Sequence, residues 1–243
     1  MESTSRPGQR FLPTRWTVIL AAGRQSSAQA QEALSILCRT YWQPIYAYVR
    51  HKGHSPPDAE DLTQEFFSRL LQKHYLAGLQ REGGRFRSFL LAAVNGFLAN
   101  EWDKARAQKR GGGQKMLSID RDTAESRYHL EPAHELTPER IYERQWAQAL
   151  LDQVLKRLGE EYRQAGKTAL FEKLSASLSQ PRGAVPYAQI AREMDSTEAA
   201  IKMAVQRLRA RYRELLRAEI AETVASPAEV EDEIRFLFST FLP

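Results

Sequence analysis

Residues 55–71 read SPPDAEDLTQEFFSRLL. Ser55 is suited to cap a helix, Pro56 suits its first position, and Asp58 falls in the first turn, where a carboxylate complements the helix dipole. Leu62, Phe66, Leu70 and, on the flank, Leu71 recur at helical spacing and are expected to face a core. Asp58, Asp61, Gln64 and Glu65 fall on the other side. Phe67 follows Phe66 by about 100° of rotation, which sets at least one of the two rings near the surface edge. Nearly every other stretch shows the same period, and no period-two apolar alternation is long enough for a strand. The chain reads as all-α.

A helix is expected from Thr14 to about Gly23. A longer one covers about Ala28 to His51, with Leu34, Leu37, Tyr41, Ile45, Tyr48 and Val49 as its stripe and a kink at Pro44. After a connector with Gly78, Gly83 and Gly84, an aromatic-then-basic helix runs roughly from Arg85 to Arg110. Asn95 and Gly96 are poor helix formers and fit a local break in it. GGG at 111–113 ends this helix, and no phosphate-loop lysine follows at the required spacing. Residues 111–137 are polar, poor in apolar residues, and too long for a loop inside a compact domain, so they read as a flexible linker. The chain thus divides into two small helical domains, 12–110 and 138–224, followed by an acidic amphipathic helix over 225–243.

The second domain opens with Thr137 as cap and Pro138 at the first position. Ile141, Trp146, Leu150, Leu151, Val154, Leu155 and Leu158 form its first stripe. KTALFEKLSASL is another helix and SQPRGAVP a loop. YAQIAREM and EAAIKMAVQRLRARYRELL, separated by DST, then have the form of a helix-turn-helix. Ile190, Ala191 and Met194 would pack on Ile201 and Val205, and Thr197 would cap the second helix. Asp195 stands where a turn glycine is common, and Asp tolerates the left-handed conformation. The second helix presents Glu198, Lys202, Gln206, Arg207 and Arg209, side chains suited to phosphates and base edges.

The formal net charge is +5 over 243 residues, which is compatible with a polyanion partner. Six basic residues between Lys202 and Arg217 face one acid, and Glu219–Glu233 holds six acids and no base. Such segregation points to distinct surfaces for distinct partners. With no run of about 18 apolar residues and no signal core in MESTSRPGQRF, the expected location is cytoplasmic, with no membrane contact. Cys38, the lone cysteine, sits in an apolar pattern and reads as a buried thiol. Asp58, Asp61 and Glu65 have helical spacing for a metal, yet matching ligands are absent elsewhere. No catalytic constellation, metal or cofactor is expected, and the chain does not read as an enzyme.

One order therefore emerges: acidic helix, aromatic-basic helix, linker, helix-turn-helix. It resembles that of bacterial RNA polymerase sigma factors of the compact two-domain, extracytoplasmic-function type. YWQPIYAYVRHKGHSPPDAEDLTQEFFSRLL looks like the first conserved sigma domain, FRSFLLAAVNGFLANEWDKARAQKR like the segment that melts and reads the −10 element, and YAQIAREMDSTEAAIKMAVQRLRARYREL like the domain that reads the −35 element. The resemblance implies core polymerase as partner, through the clamp of β′ and the flap of β, together with promoter DNA and room for an anti-sigma factor. It implies clamp contact by Asp61, Leu62, Gln64, Glu65 and Phe67. It implies −10 contact by Asn95, Trp102, Lys104, Arg106, Lys109 and Arg110, and −35 contact by Thr197, Glu198, Lys202, Gln206, Arg207 and Arg209. The alternative is a helix-turn-helix transcriptional regulator that does not engage polymerase. The tail, with Val230, Ile234, Phe238 and Phe241 on one face, is expected to fold back on the second domain. A sharper expectation lays its acids near Arg209, Arg211 and Arg213, in competition with DNA.

Overall fold

The computed structural model describes residues 28–71, 85–107, 136–180, 186–224 and 226–242. The fold is all-α, with no strand among the described residues. The expected Thr14–Gly23 helix, the glycine-bearing connector, residues 111–135 of the linker and residues 181–185 lie outside them. In chain order the helices are α1 (Ala28–His51), α2 (Pro56–Leu71), α3 (Phe86–Ala107) and α4 (Pro138–Gln164). Next come α5 (Thr168–Leu174), which runs into a 3-10 turn at Ser175–Leu178, then α6 (Tyr187–Glu193) and α7 (Glu198–Ala221). A second 3-10 turn at Pro227–Glu229 leads into α8 (Val230–Ser239).

Helix α2 begins as its sequence dictates: Ser55 Oγ accepts from the Asp58 N–H at 3.4 Å and donates to the Asp58 carboxylate at 2.6 Å. Both of its phenylalanines are buried, against the expectation that one ring lies at the surface edge. Phe66 meets Phe97 of α3 edge-on at 5.7 Å, and Phe67 stacks on Trp42 of α1 at 5.9 Å. The two rings point about 100° apart, and a helix wedged between two neighbours can bury both. Helix α3 runs without a break through Asn95 and Gly96, which corrects the expected interruption. Phe86, Leu90, Val94 and Phe97 are buried along one face of it, and that packing overrides the low propensity of two residues.

Helix α4 starts at the predicted cap, where Thr137 Oγ1 accepts from the Arg140 N–H at 3.3 Å. Its stripe packs along α1, with Tyr142 meeting Tyr48 edge-on at 6.2 Å and Thr40 Oγ1 donating to Gln153 Oε1 at 3.0 Å. Tyr142 and Gln145 join the buried set unforeseen, while Leu151 and Leu155 are only half-buried. The described parts of the two sequence modules thus share one apolar core. Tyr41 to Val49 are buried without interruption, because α1 has α2 on one side and α4 on another.

The tail helix α8 completes this core, and its stripe differs from the expected one. Val230, Glu233 and Leu237 are buried and Phe238 is exposed. Glu233, at 1% exposure, bonds the Arg87 guanidinium at 2.6 and 3.4 Å, with Arg85 Nε at 2.8 Å. Arg87, itself buried, lies 3.7 Å from the Phe236 ring centre and 5.2 Å from that of Trp146. Tyr142 donates to the carbonyl of Arg87 at 3.0 Å, and the Phe86 N–H donates to the Thr223 carbonyl at 3.2 Å. The tail therefore touches both modules, not the second alone.

Two outcomes follow from this packing. A Cβ at Gly96 would meet nothing within 4 Å, so Gly96→Ala is expected to stabilise the protein by up to about 1 kcal/mol, read as a higher denaturant midpoint. Glu233→Ala leaves a buried guanidinium short of its partner and is expected to cost about 3 kcal/mol. The apolar pair Arg87→Met with Glu233→Leu is expected to recover most of that loss, and an equal loss in the pair would refute the assignment.

Candidate nucleic-acid and protein interfaces

The outer face of α2 carries Asp61 and Glu65 exposed, with Leu62 and Gln64 half-buried between them and the core. Gln64 Nε2 lies 3.5 Å from Glu60 Oε1. Glu65 is tied to Arg69 at 2.7 Å, and Arg69 continues to Glu101 of α3 at 2.6 Å. Arg69 also sits over the Phe97 ring at 5.0 Å, so the acidic face is fixed to α3 by one shared arginine. Four of the five residues expected at a protein partner reach the surface. Phe67 does not, and its part is to hold α2 against α1.

On α3, Asn95 is exposed and its Oδ1 accepts from the Tyr48 hydroxyl at 2.5 Å. That hydroxyl also lies 3.3 Å from Glu139 Oε1, and Lys52 Nζ is 3.5 Å from the same carboxylate. Burial pushes the Tyr48 hydroxyl up from its ordinary range, which keeps its proton in place for donation. The amide of Asn95 is thereby held through its oxygen, on an exposed residue. Trp102 is exposed on the same helix. Lys104 and Arg106 belong to the last turns of α3, but their side chains, like the whole of Lys109 and Arg110, lie outside the described residues.

Helices α6 and α7 pack together around Ile190, Ala191, Ile201 and Val205, with Met194 half-buried beside them. Asp195 adopts φ 46°, the left-handed turn that its short polar side chain permits. Thr197 caps α7 by accepting from the Ala200 N–H at 3.2 Å. The start of α7 exposes Glu198, Lys202, Gln206 and Arg207, with Lys202 and Glu198 paired at 2.6 Å.

Arg209 departs from the outward orientation expected of it. Its guanidinium donates to the Ser177 carbonyl at 3.2 and 2.6 Å and to that of Gln180 at 3.2 Å, closing the end of the 3-10 turn. A planar fork of donors suits unpaired helix-terminal carbonyls as well as it suits phosphate. Arg211 is likewise engaged, with Glu161 at 2.7 and 2.8 Å and with Glu214 at 2.8 Å. The tail acids do not meet Arg209 or Arg211. Glu231 pairs with Arg217, and Glu233 with Arg85 and Arg87.

Sequence reasoning missed the Tyr48–Asn95–Glu139 cluster, because its members lie 47 and 91 residues apart and no local pattern joins them. Glu233 gave no signal of a buried partner either, since it stands last in a run of three acids at the start of α8. Cys38 is half-buried, and burial pushes its thiol up to about 11, which suits packing rather than nucleophilic attack. No group of three or more potential metal ligands gathers among the described residues, and no helix among them is long and apolar enough to cross a membrane. Comparison with family models, curated proteins and solved structures finds no match.

The contrast along α7 is measurable. Arg209→Ala is expected to lower stability by about 1.5 kcal/mol, since it strips carbonyls of a charged donor. Lys202→Ala is expected to stay within about 0.5 kcal/mol of the parent, as exposed pairs do. Equal effects in urea titrations would mean that Arg209 is not held as described.

Proposed function

We propose that this chain is a sigma-type initiation factor, which binds core RNA polymerase through the outer face of α2 and reads promoter DNA with α3 and with the start of α7. The observation that carries the reading is the start of α7. A capped helix end, steadied by α6 through a tight turn, projects Glu198, Lys202, Gln206 and Arg207 into solvent. Residues of this kind at the N-terminal turns of a helix suit a major groove, and α6–α7 would then act as a helix-turn-helix. The acidic surface on α2 opposes the sign of α7, which fits a protein partner on one side and DNA on the other.

In this reading Asn95, positioned by Tyr48, offers its amide to a −10 base, and Trp102 offers a face for stacking. The −10 and −35 elements are separate sites along a duplex that rises about 3.4 Å per base pair. One shared core does not span both, so the packed arrangement belongs to the free protein and polymerase draws the modules apart. The same core favours a second reading, a regulator that binds DNA through α7 alone and never engages polymerase. Its N-terminal module would then serve only to complete the core.

Replacing Gln64 with Ala and Glu65 with Lys decides between them. Binding to core polymerase is expected to weaken by roughly 2 kcal/mol, since the change removes polar contacts and reverses a rim charge. Helicity by circular dichroism should stay unchanged. No core affinity in the parent would leave the regulator reading, and unaltered affinity in the variant would refute the contact through α2. Lys202→Glu and Arg207→Glu are expected to abolish use of a −35 element with core binding intact.

A further inference from the structure

We propose that Arg85 and Arg87 form a phosphate-binding site for nucleic acid, whose place is held in this structure by the Glu233 carboxylate. Two guanidinium groups from the start of α3 converge on that one carboxylate, Arg87 by two prongs at 2.6 and 3.4 Å and Arg85 at 2.8 Å. A carboxylate and a phosphodiester each present one negative charge on two oxygens, so a socket built for one accepts the other. Glu143, 3.3 Å from Arg87, supplies a second acid. With Glu233 withdrawn, the site keeps two cations against one anion. The Trp146 ring lies under Arg87, 5.2 Å from its centre, and walls the socket on one side. A phosphate offers more acceptor capacity than the carboxylate it would replace.

The occupant is of a kind that can leave. Helix α8 is ten residues long and buries Val230 and Leu237, while Phe238 is 51% exposed and Arg235, Glu231 and Asp232 face solvent. Arg85 and Glu233 both regain water when they part, unlike the two sides of an apolar plug. The neighbouring Glu231 pairs with Arg217 of α7 at the surface, so the same short helix also meets a cation of α7. The proposal deepens the nucleic-acid reading above and rests on it. It also relocates the acid–base competition expected from the sequence, from Arg209, Arg211 and Arg213 to Arg85 and Arg87.

The test is binding of a fluorescein-labelled oligonucleotide to the full-length chain at low salt. Glu233→Gln is expected to tighten binding about 5-fold or more and to steepen the salt dependence by one to two phosphate contacts. Arg85→Gln is expected to cancel that gain in the Glu233→Gln background. No gain, or a gain indifferent to Arg85, would overturn the site. Should Glu233→Gln fold poorly, hydrogen exchange on the unaltered chain decides. Saturating oligonucleotide should deprotect the amides of Val230–Ser239 about 10-fold, and unchanged protection refutes displacement of α8. Capture of polyglutamate but not of the oligonucleotide would make this an acidic-peptide site and overturn the assignment to nucleic acid. An Arg85-dependent gain with Lys202→Glu and Arg207→Glu inert would uphold the socket and remove α7 as reader.

Discussion

The buried pair of Arg87 and Glu233 constrains the rest of the molecule. Taking two charges out of water costs several kcal/mol each, and attraction repays that only when both partners are held in a narrow geometry. Here the geometry needs three helices at once. Helix α3 supplies the guanidinium, α8 the carboxylate, and α4 supplies Trp146 as one wall and Glu143 as a further acceptor. Phe236 of α8 closes the other wall. A shift of any one helix would lengthen one of these bonds, so the pair favours one register while α8 stays docked. Net stability is the lesser part of what such a pair contributes.

Charge counted along a sequence overstates charge available to a ligand. Six basic residues follow one another on α7, yet Arg209 bonds carbonyls, Arg211 is taken by Glu161 and Glu214, and Arg217 by Glu231. The surface at the start of α7 is correspondingly mixed, with Glu198 on Lys202 and Arg207 beside Gln206. A surface of that kind favours hydrogen bonding to base edges over a purely electrostatic grip on phosphate. Of the acids on α2, Glu65 is likewise engaged, by Arg69.

Local chemistry was legible and long-range chemistry was not. Ser55, Thr137 and Thr197 announce helix starts through bonds to residues three positions on, and Asp195 announces its turn through its own backbone preference. These outcomes are settled within four residues of sequence. Phe67, Arg87 and Glu233 are settled by residues 25 to 146 positions away, on helices whose faces no local period can orient. The helix period of α2 foretold one buried side because a period measures a single preferred face, and α2 has two covered faces. Gly96 misled for the opposite reason, since a poor helix former on an exposed face costs too little to break a helix whose other face is packed. The candidate −10 amide was legible as a residue, but the tyrosine that orients it was not.

The packing of α1 against α4 also has a consequence for synthesis. Tyr41, Ile45 and Tyr48 are covered in the finished molecule by a helix that ends at Gln164, more than a hundred residues later. At roughly 5–20 residues per second, a nascent chain would hold that aromatic face uncovered for on the order of 5–20 s before α4 emerges. Such an interval is long compared with the collapse of a helical module and with encounters between neighbouring chains. The order of the helices thus sets how long this aromatic face stands open to other chains during synthesis.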